Sequence, residues 1–343
     1  MSHIILKIVY YVTDHGLGHA TRTVAIIREL KKRCVDVVIR SNDPFHFFKK
    51  SLPDVKIIYG STDFIPVMQK NNSMRFADVK TKKKLLKWIT NLPLTLTIES
   101  QLLKKIQPDL IITDTAFMPI LAAKQNQIKC FLISNFVWNE ALNLPQYLKS
   151  YLYSSYDQSD LILKLPFGTD MDFKNKHDVG LVARYPTISK TQIRKMLGIK
   201  KQEKLVLISL SGILKTSIKF PENIHVLDIS DYSVIKNSKI DVFVDGQNLV
   251  NAADLVICKC GFGFITECLT SGTKFCYVVD QKHKEANGIH RELLKYELNN
   301  RINLKTLPVN FYSYSSLNFT IKKLPFSNKK IIDLIMLFYE KVI

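Results

Sequence analysis

The chain has 343 residues, more than one ordinary compact domain holds and enough for two α/β units of about 150–170 residues each. Hydrophobic residues make up 46% and charged residues 23%, so the composition excludes a disordered, collagenous or fibrous chain. Lys and Arg together number 49 against 30 Asp and Glu, which gives a formal net charge of +19. Such a charge favours anionic partners, namely phosphate-bearing substrates, an anionic membrane surface or nucleic acid, although a lysine-rich surface without any partner gives the same balance.

In chain order, the first half alternates strands with helices, as an α/β fold requires. A strand over Ile4–Val12 leads into a glycine loop, and a helix is predicted from Ala20. Further strands are predicted at Val35–Arg40, Val55–Tyr59, Leu110–Asp114, Cys130–Ser134 and Leu161–Leu165, the last of this half, and helices at Leu94–Ile106, Pro119–Gln125 and Tyr147–Tyr156. Residues 80–88 form a basic amphipathic stretch, typical either of a solvated helix face or of a patch that touches an anionic bilayer.

A polar linker is predicted over Pro166–Asp178, and a second α/β unit follows it. Its predicted elements are a helix at Lys190–Leu197 and strands at Leu205–Leu210, Ile224–Leu227, Val242–Phe243, Leu255–Cys258 and Phe275–Val279. The fold class is therefore α/β, with two Rossmann-like doubly wound domains over residues 1–168 and 178–325 and a terminal helix within 328–343. Ligands are expected in a cleft at the carboxyl ends of the strands.

The six cysteines favour a reduced, cytoplasmic protein. Cys258 and Cys260 are too close for the usual spacing of a zinc knuckle, and no second ligand pair follows them. We therefore expect buried, reduced thiols, with metal binding as the alternative, at Cys34, Cys130, Cys258, Cys260, Cys268 and Cys276. The N-terminal residues show no signal-peptide cleavage site, and no apolar stretch reaches the roughly 18 residues of a membrane span.

The loop after the first strand, Thr13–His19, contains the candidate base. Gly16 and Gly18 let the chain turn sharply before a helix whose first N–H groups are free. The loop lacks both the third glycine of a dinucleotide fingerprint and the Gly-Lys-Ser/Thr of a P-loop. His15 and His19 lie where a strand end faces the cleft, and imidazole suits a general base near neutral pH, although a polar helix cap would use the same residue type.

Asp114 ends another strand of the first half and is predicted to face the same cleft. A carboxylate bonded to imidazole fixes the tautomer of the ring and raises its basicity. The structural alternative is an aspartate that caps the helix before Pro119. Arg22, one turn along the first helix, is predicted either to reach an acceptor or phosphate group or to lie on the surface.

Residues 255–268 carry the strongest signal of the second half. A strand runs into a turn with Gly261 and Gly263, and then into a helix with Glu267 in its second turn. The bare turn and helix start suit a diphosphate group, and Lys259 adds positive charge. Glu267 is spaced to accept hydrogen bonds from ribose hydroxyls.

This run resembles the donor-binding region of GT-B glycosyltransferases, particularly the plant-type UDP-glycosyltransferases. Gly261, Glu267, Gly272, Asp280 and Gln281 fall at matching places, whereas Lys274 replaces a proline that the family commonly has. The resemblance implies a nucleotide-diphosphate sugar as donor, with UDP as the expected nucleotide. It assigns the ribose to Glu267, the donor sugar to Asp280 and Gln281, and the diphosphate to Lys259, Gly261, Phe262, Gly263, Phe264 and Ile265.

The first half is similar to the glycosyltransferase-like region of plant L-arabinokinases and, more loosely, to the MurG transferase. The similar segments are Tyr10–Arg22, Asp109–Asp114 and Ile133–Trp138. The resemblance spans roughly residues 4–305 and implies that His19 is the base and Asp114 its orienting acid. It also implies inversion at the anomeric carbon without an obligate metal, and an unidentified hydroxyl acceptor for which a lipid-linked molecule is one option.

Three other functions stay open at the level of sequence. A nucleotide-sugar 2-epimerase uses the same two-domain architecture without a second substrate. A non-catalytic module could bind a nucleotide sugar, although the presence of both His19 and Asp114 argues against it. Nucleic-acid binding has only the net charge in its favour, because no helix-turn-helix, RNP or zinc pattern occurs.

Overall fold

The computed structural model describes residues 6–43, 46–70, 72–210, 224–230, 241, 245–302 and 320–340. The strands of the first half are β1 (Lys7–Val12), β2 (Asp36–Ser41), β3 (Lys56–Tyr59), β4 (Met68–Gln69), β5 (Asn72–Phe76), β6 (Leu110–Asp114), β7 (Lys129–Ser134), β8 (Leu161–Lys164) and β9 (Lys176–Asp178). Its helices are α1 (Leu17–Lys32), α2 (Phe47–Ser51), α3 (Asp78–Ile106), α4 (Met118–Gln125), α5 (Trp138–Ala141) and α6 (Gln146–Tyr156).

The elements of the second half continue the same alternation. They are α7 (Lys190–Met196), β10 (Lys204–Ser209), β11 (Ile224–Asp228), α8 (Gly246–Ala252), β12 (Leu255–Lys259), α9 (Phe262–Ser271), β13 (Phe275–Val278), α10 (Lys284–Lys295) and α11 (Asn328–Glu340).

Two parallel sheets organise the chain. The first has seven strands in the order β3-β2-β1-β6-β7-β8-β9, and the second has four described strands in the order β11-β10-β12-β13. All ladders in both sheets are parallel, and helices connect most of the strands. The central strands are almost fully buried apolar runs, as expected for sheets covered on both faces. The predicted α/β class with two doubly wound sheets is therefore confirmed.

Several predicted elements were wrong in detail. Helix α1 begins at Leu17 and not at Ala20, because Gly16 takes a left-handed φ of 81° and turns the chain directly into it. The basic stretch and the helix predicted after it are one 29-residue helix, α3, which contains Pro93. The predicted linker contains β9, which pairs with β8, so Leu161–Lys164 is not the last strand of the first sheet. The strand predicted at Val242–Phe243 lies outside the described residues.

The terminal helix α11 lies against α1. Ile331, Ile332 and Ile335 are buried in the same core cluster as the apolar face of α1, and Arg33 forms an ion pair with Asp333. The domain limits stay a prediction, since burial alone does not define them. Among the helices that the structure describes, none is both long enough and apolar enough to cross a membrane.

The cysteines differ from the prediction at one position. Cys34 is exposed, whereas the other five are buried, and all six are free thiols. Burial raises the pKa of the Cys130, Cys260 and Cys268 thiols well above the ordinary value. Within the described parts of the chain, no three His, Cys, Asp or Glu side chains are grouped to hold a metal ion.

Candidate active site

The two glycine loops of the chain meet across a cleft. Gly16 and Gly18 precede or open α1, and Gly261 and Gly263 do the same for α9. A Cβ atom on Gly263 would lie 3.0 Å from Oγ1 of Thr21 and 3.5 Å from Cα of Gly18. The sequence therefore uses small residues where the backbone of one half approaches that of the other.

Two adjoining cavities lie at this contact. They share Gly18, Lys259, Gly261 and Phe262, and their empty volumes are about 800 Å³ and about 1050 Å³ with open solvent included. The first cavity is lined further by Thr21, Phe47, Arg184, Gly263, Phe264 and Glu267, among others. The second is lined further by His15, Gly16, His19, Arg22, Met68, Met74, Asp280, His283 and Glu285, among others.

His19 and Asp114 are in direct contact, as the candidate dyad requires. Nδ1 of His19 lies 2.8 Å from Oδ1 of Asp114, and both side chains are buried. Burial alone would raise the pKa of Asp114, but the neighbouring charges of Arg22 and His19 outweigh it and lower that pKa to about 2. Asp114 is thus an ionised acceptor at neutral pH, and Nδ1 is the His19 nitrogen in contact with it.

The backbone beside this dyad is strained. Thr115 follows Asp114 with a left-handed φ of 65°, which is unusual for a β-branched residue. The strain places Oγ1 of Thr115 at 3.1 Å from Oδ1 of Asp114 and at 2.6 Å from Oγ of Ser134. Asp114 is therefore held from several sides at the end of β6, and the strain lies at the candidate catalytic residues.

His15 differs from His19 in forming no hydrogen bond or ion pair with a carboxylate among the described residues. Its ring lies between those of Phe76 and Trp138, each 5.5 Å away. Burial, together with the nearby His19 and His283, lowers the pKa of His15 to about 3, so this ring is uncharged at neutral pH. His15 can donate or accept a hydrogen bond in the second cavity, but it carries no charge there.

Arg22 was not identified as a central residue from the sequence. Its guanidinium is buried and donates to both oxygens of Asp114, from Nε at 2.6 Å and from Nη2 at 2.5 Å. It also donates to Oδ1 of Asn135, and its face lies 5.1 Å from the centre of the Phe262 ring in the second half. The surface alternative for Arg22 was therefore wrong. The spacing of three between His19 and Arg22, which puts both on one helix face, was the available signal.

Lys259 and the start of α9 form the most cationic part of both cavities. Lys259 ends β12, lines both cavities and forms no ion pair with any acidic side chain that the structure describes. Its partial burial lowers the pKa of the ammonium. Helix α9 has no acidic residue in its first turn, so its free N–H groups and Lys259 favour an anion. Gly272 ends this helix with a left-handed φ of 77°, as predicted.

Glu267, in the second turn of α9, lines the first cavity. Oε1 of Glu267 accepts a hydrogen bond from Nε of Arg184 at 2.8 Å, and both residues are buried. The sequence did not indicate Arg184, because the pair joins positions 83 residues apart. The carboxylate is therefore positioned by a charged partner beside the space where a ligand would lie.

The residues after β13 divide between the cavity and the surface. Asp280 lines the second cavity and forms an ion pair with Arg75 of β5, whereas Gln281 is exposed and lines neither cavity. Glu285, in the first turn of α10, lines the second cavity and accepts a hydrogen bond from Nδ2 of Asn135 at 3.0 Å. Asn135 and Glu285 were missed, although each follows a strand at the same sheet edge as Asp114 or Lys259.

Comparisons with known proteins show which sequences and folds the chain resembles. Residues 6–155 match the family model described as glycosyl transferase family 1. An L-arabinokinase from Arabidopsis thaliana is 25% identical over 303 residues, which are 81% of this chain and 28% of that protein. The chain thus spans little more than a quarter of the length of this relative.

Solved structures resemble the chain over nearly its whole length. The glycosyltransferase of kitacinnamycin has a TM-score of 0.63 at 17% identity and covers 98% of this chain and 99% of its own. UGT2 of Phytolacca americana, solved with UDP-2-fluoro-glucose and pterostilbene, has a TM-score of 0.58 at 11% identity over 98% of this chain and 100% of its own. MurG of Acinetobacter baumannii has a TM-score of 0.55 at 14% identity over 97% and 99%. The chain therefore has the GT-B fold of these glycosyltransferases, and its N-terminal part, residues 6–155, matches glycosyl transferase family 1.

Proposed function

We propose that the chain transfers a sugar from a nucleotide-diphosphate sugar, with UDP as the expected nucleotide, to a hydroxyl acceptor. The observation that carries the proposal is the placement of two kinds of group around one cleft. The buried pair of His19 and Asp114 comes from the first half, and Lys259 with the start of α9 comes from the second. A base on one wall and an anion site on the other suit a reaction in which a hydroxyl attacks the sugar and the diphosphate departs.

The proposed reaction assigns one role to each group. Nε2 of His19 takes the proton of the acceptor hydroxyl, whose oxygen attacks the anomeric carbon and inverts it. Asp114 holds the ring through Nδ1 at 2.8 Å and offsets the positive charge that the ring gains. The departing diphosphate accepts hydrogen bonds from the backbone of Gly261–Phe264 and interacts with the charge of Lys259. No step needs a metal ion.

The donor is proposed to lie along both cavities. Glu267 receives the ribose hydroxyls in the first cavity, and Asp280 receives sugar hydroxyls in the second. Gln281 would need to turn inward to take part, since its side chain is exposed here. Gly16, Gly18 and His15 form the opposite wall. In this proposal residues 1–168 bind the acceptor, residues 178–325 bind the donor, and the terminal helix attaches to the first half.

The acceptor side is proposed to work next to an anionic lipid surface from the cytoplasmic side. Helix α3 exposes Val79, Leu86, Leu94 and Ile98, whose residues are 83%, 37%, 67% and 54% exposed. The exposed lysines of residues 80–87 flank this stripe. Apolar side chains beside lysines suit the interface of an anionic bilayer, where a lipid-linked acceptor would be found.

The test of this function does not require the acceptor. The full chain is incubated with a panel of nucleotide-diphosphate sugars, and free nucleoside diphosphate is measured, because water in the place of the acceptor hydroxyl would hydrolyse the donor at the same site. We expect release from one class of donor that His19→Gln abolishes and that the control His225→Gln retains, since His225 lies on β11 and lines neither cavity.

The other outcomes separate the competing functions. Conversion of the donor into an isomeric nucleotide sugar without net release would identify an epimerase. Tight binding of the donor with neither product would identify a binding module. Either result would contradict the transfer reaction.

A further inference from the structure

Arg22 is the most highly connected side chain at the candidate base. Besides its fork onto Asp114, its Nη2 lies 3.2 Å from Oγ1 of Thr115, 3.3 Å from Oγ of Ser134 and 2.7 Å from Nδ1 of His19. The side chain is 2% exposed. A guanidinium has only donors, and an ionised carboxylate has only acceptors. The directions of the hydrogen bonds between Arg22 and Asp114 follow from these two facts.

These contacts allow two arrangements of the His19 ring. In the first, Nδ1 carries the proton and donates to Oδ1 of Asp114, so Nδ1 and Nη2 of Arg22 are two donors that converge on one oxygen. In the second, Nδ1 is bare and accepts from Nη2 of Arg22, and its lone pair faces Oδ1 at 2.8 Å. Only the first arrangement leaves Nε2 bare and able to act as a base.

We propose that Arg22 is a positioning residue that holds Asp114 so that His19 keeps a proton on Nδ1. The two hydrogen bonds from Arg22 keep both oxygens of Asp114 in place, so that Oδ1 faces Nδ1. For its relevance to sugar transfer this inference rests on the proposed function, but the state of the ring can be measured without any substrate.

Other charged and titratable groups also face the ring or line its cavity. From the remaining packed elements they are His15, the Tyr10 hydroxyl behind Arg22, Lys259, Asp280, His283 and Glu285. Arg22 and Asp114 are the charged groups with a hydrogen-bond-length contact to Nδ1 in the described structure. These two groups therefore bear most directly on which ring nitrogen carries the proton.

Arg22 also links the base to the second half. Its guanidinium face packs 5.1 Å from the Phe262 ring, and its Asn135 partner donates to Glu285 of α10. Both contacts cross the cleft. The ring state of His19 is therefore supported by the same closed arrangement that forms the donor cavity.

The test is long-range ¹H–¹⁵N NMR of the full chain with ¹⁵N-labelled histidine, in which bare and protonated ring nitrogens are well separated. Eight histidines contribute, and His19→Gln identifies the His19 signals by their loss. At neutral pH we expect His19 to show a protonated Nδ1 and a bare Nε2. A protonated Nε2 with a bare Nδ1 in the wild type would overturn the inference, and this measurement needs no variant of Arg22.

Variants then test the positioning role. In Arg22→Met the fraction of His19 rings with a protonated Nδ1 and a bare Nε2 should fall, because Arg22 no longer holds Oδ1 of Asp114 against Nδ1. Arg22→Lys keeps a donor to Asp114 and should restore part of this fraction. Arg40→Met is the matched control. Arg40 is also buried and donates two hydrogen bonds to one carboxylate, that of Glu99, but it lines neither cavity.

The outcomes are separable from those for the proposed function. An unchanged fraction of the Nδ1-protonated His19 tautomer in Arg22→Met, or an equal change in Arg40→Met, overturns the role of Arg22. The expected ring state in a chain that binds no nucleotide leaves this inference standing and refutes the proposed function. Nucleotide binding by a chain whose His19 carries its proton on Nε2 refutes this inference and leaves the proposed function standing.

Discussion

Removing the charge of Asp114 tests the buried cluster around the candidate base. Asp114→Asn keeps the size of the side chain but leaves the guanidinium of Arg22, which is 2% exposed, without its carboxylate. The loss of one partner of a buried ion pair costs about 3–5 kcal/mol, because the remaining charge is no longer compensated. Asn135, Thr115 and Ser134 still accept hydrogen bonds from Arg22, so we expect a value near the lower end.

The pH dependence of the free energy of unfolding gives a second estimate of what Asp114 contributes. The pKa of Asp114 falls from an ordinary 3.8 to about 2 in the folded chain. A depressed carboxyl pKa contributes stability that is present above the unfolded pKa and is lost as the pH falls through the folded one. The contribution is about 2 kcal/mol at neutral pH, lost between about pH 4 and pH 2. It is smaller than the cost of Asp114→Asn because it already includes the penalty for burying the carboxylate.

Urea unfolding at pH 7 measures the first magnitude, with Asp54→Asn as the control. Asp54 carries the same functional group in an exposed ion pair with Lys31, so its substitution should change the free energy of unfolding by less than about 0.5 kcal/mol. The double variant Asp114→Asn, Arg22→Leu should recover part of the loss, because no buried charge remains. If Asp114→Asn costs no more than Asp54→Asn, the buried pair does not exist as described and the reasoning fails.

Three further predictions concern other parts of the chain. In Gly288→Ala the new Cβ would lie 1.9 Å from the carbonyl oxygen of Gly168, so thermal unfolding should show a loss of about 1–3 kcal/mol or failure to fold, and a wild-type Tm would contradict this contact. A thiol reagent should modify Cys34 rapidly in the native chain and the other five cysteines only after unfolding; mass spectrometry that finds a buried thiol modified first would contradict their burial. Lys83→Glu, Lys87→Glu should weaken sedimentation with anionic vesicles by at least about tenfold, at about 1 kcal/mol per lysine, and equal binding to neutral vesicles would exclude an electrostatic contact.

The regular part of the fold could be predicted from the sequence because its strands are continuous apolar runs. Strand β6, Leu110–Asp114, and strand β10, Lys204–Ser209, read as buried parallel strands without any long-range information. Strand β9 could not be predicted in this way, because its three residues, Lys176–Asp178, are polar and form no apolar run. The helix predicted from Leu94 begins too late, because the turns of α3 that precede Pro93 are helical as well.

The candidate site was only half predictable for a related reason. Strand ends and glycine turns give the positions of His19, Asp114 and Lys259, since these depend on local order along the chain. The ion pairs of the site, in contrast, join residues that lie far apart in the sequence. Arg22 meets Asp114 across 92 positions, and Glu267 meets Arg184 across 83, so sequence spacing carries no signal for either contact.

The most direct test of the central claim is titration calorimetry of UDP and other nucleoside diphosphates with the full chain, with Glu267→Gln and with Glu99→Gln. Glu99 is the matched control, because it is a buried glutamate paired with an arginine and lines neither cavity. We predict that one nucleoside diphosphate binds the wild type and the control alike and binds Glu267→Gln at least about tenfold more weakly, since a hydrogen bond to a charged group contributes about 1.5–3 kcal/mol. Absence of binding to the wild type, or an equal loss in both variants, would contradict a nucleotide-sugar site in this cleft.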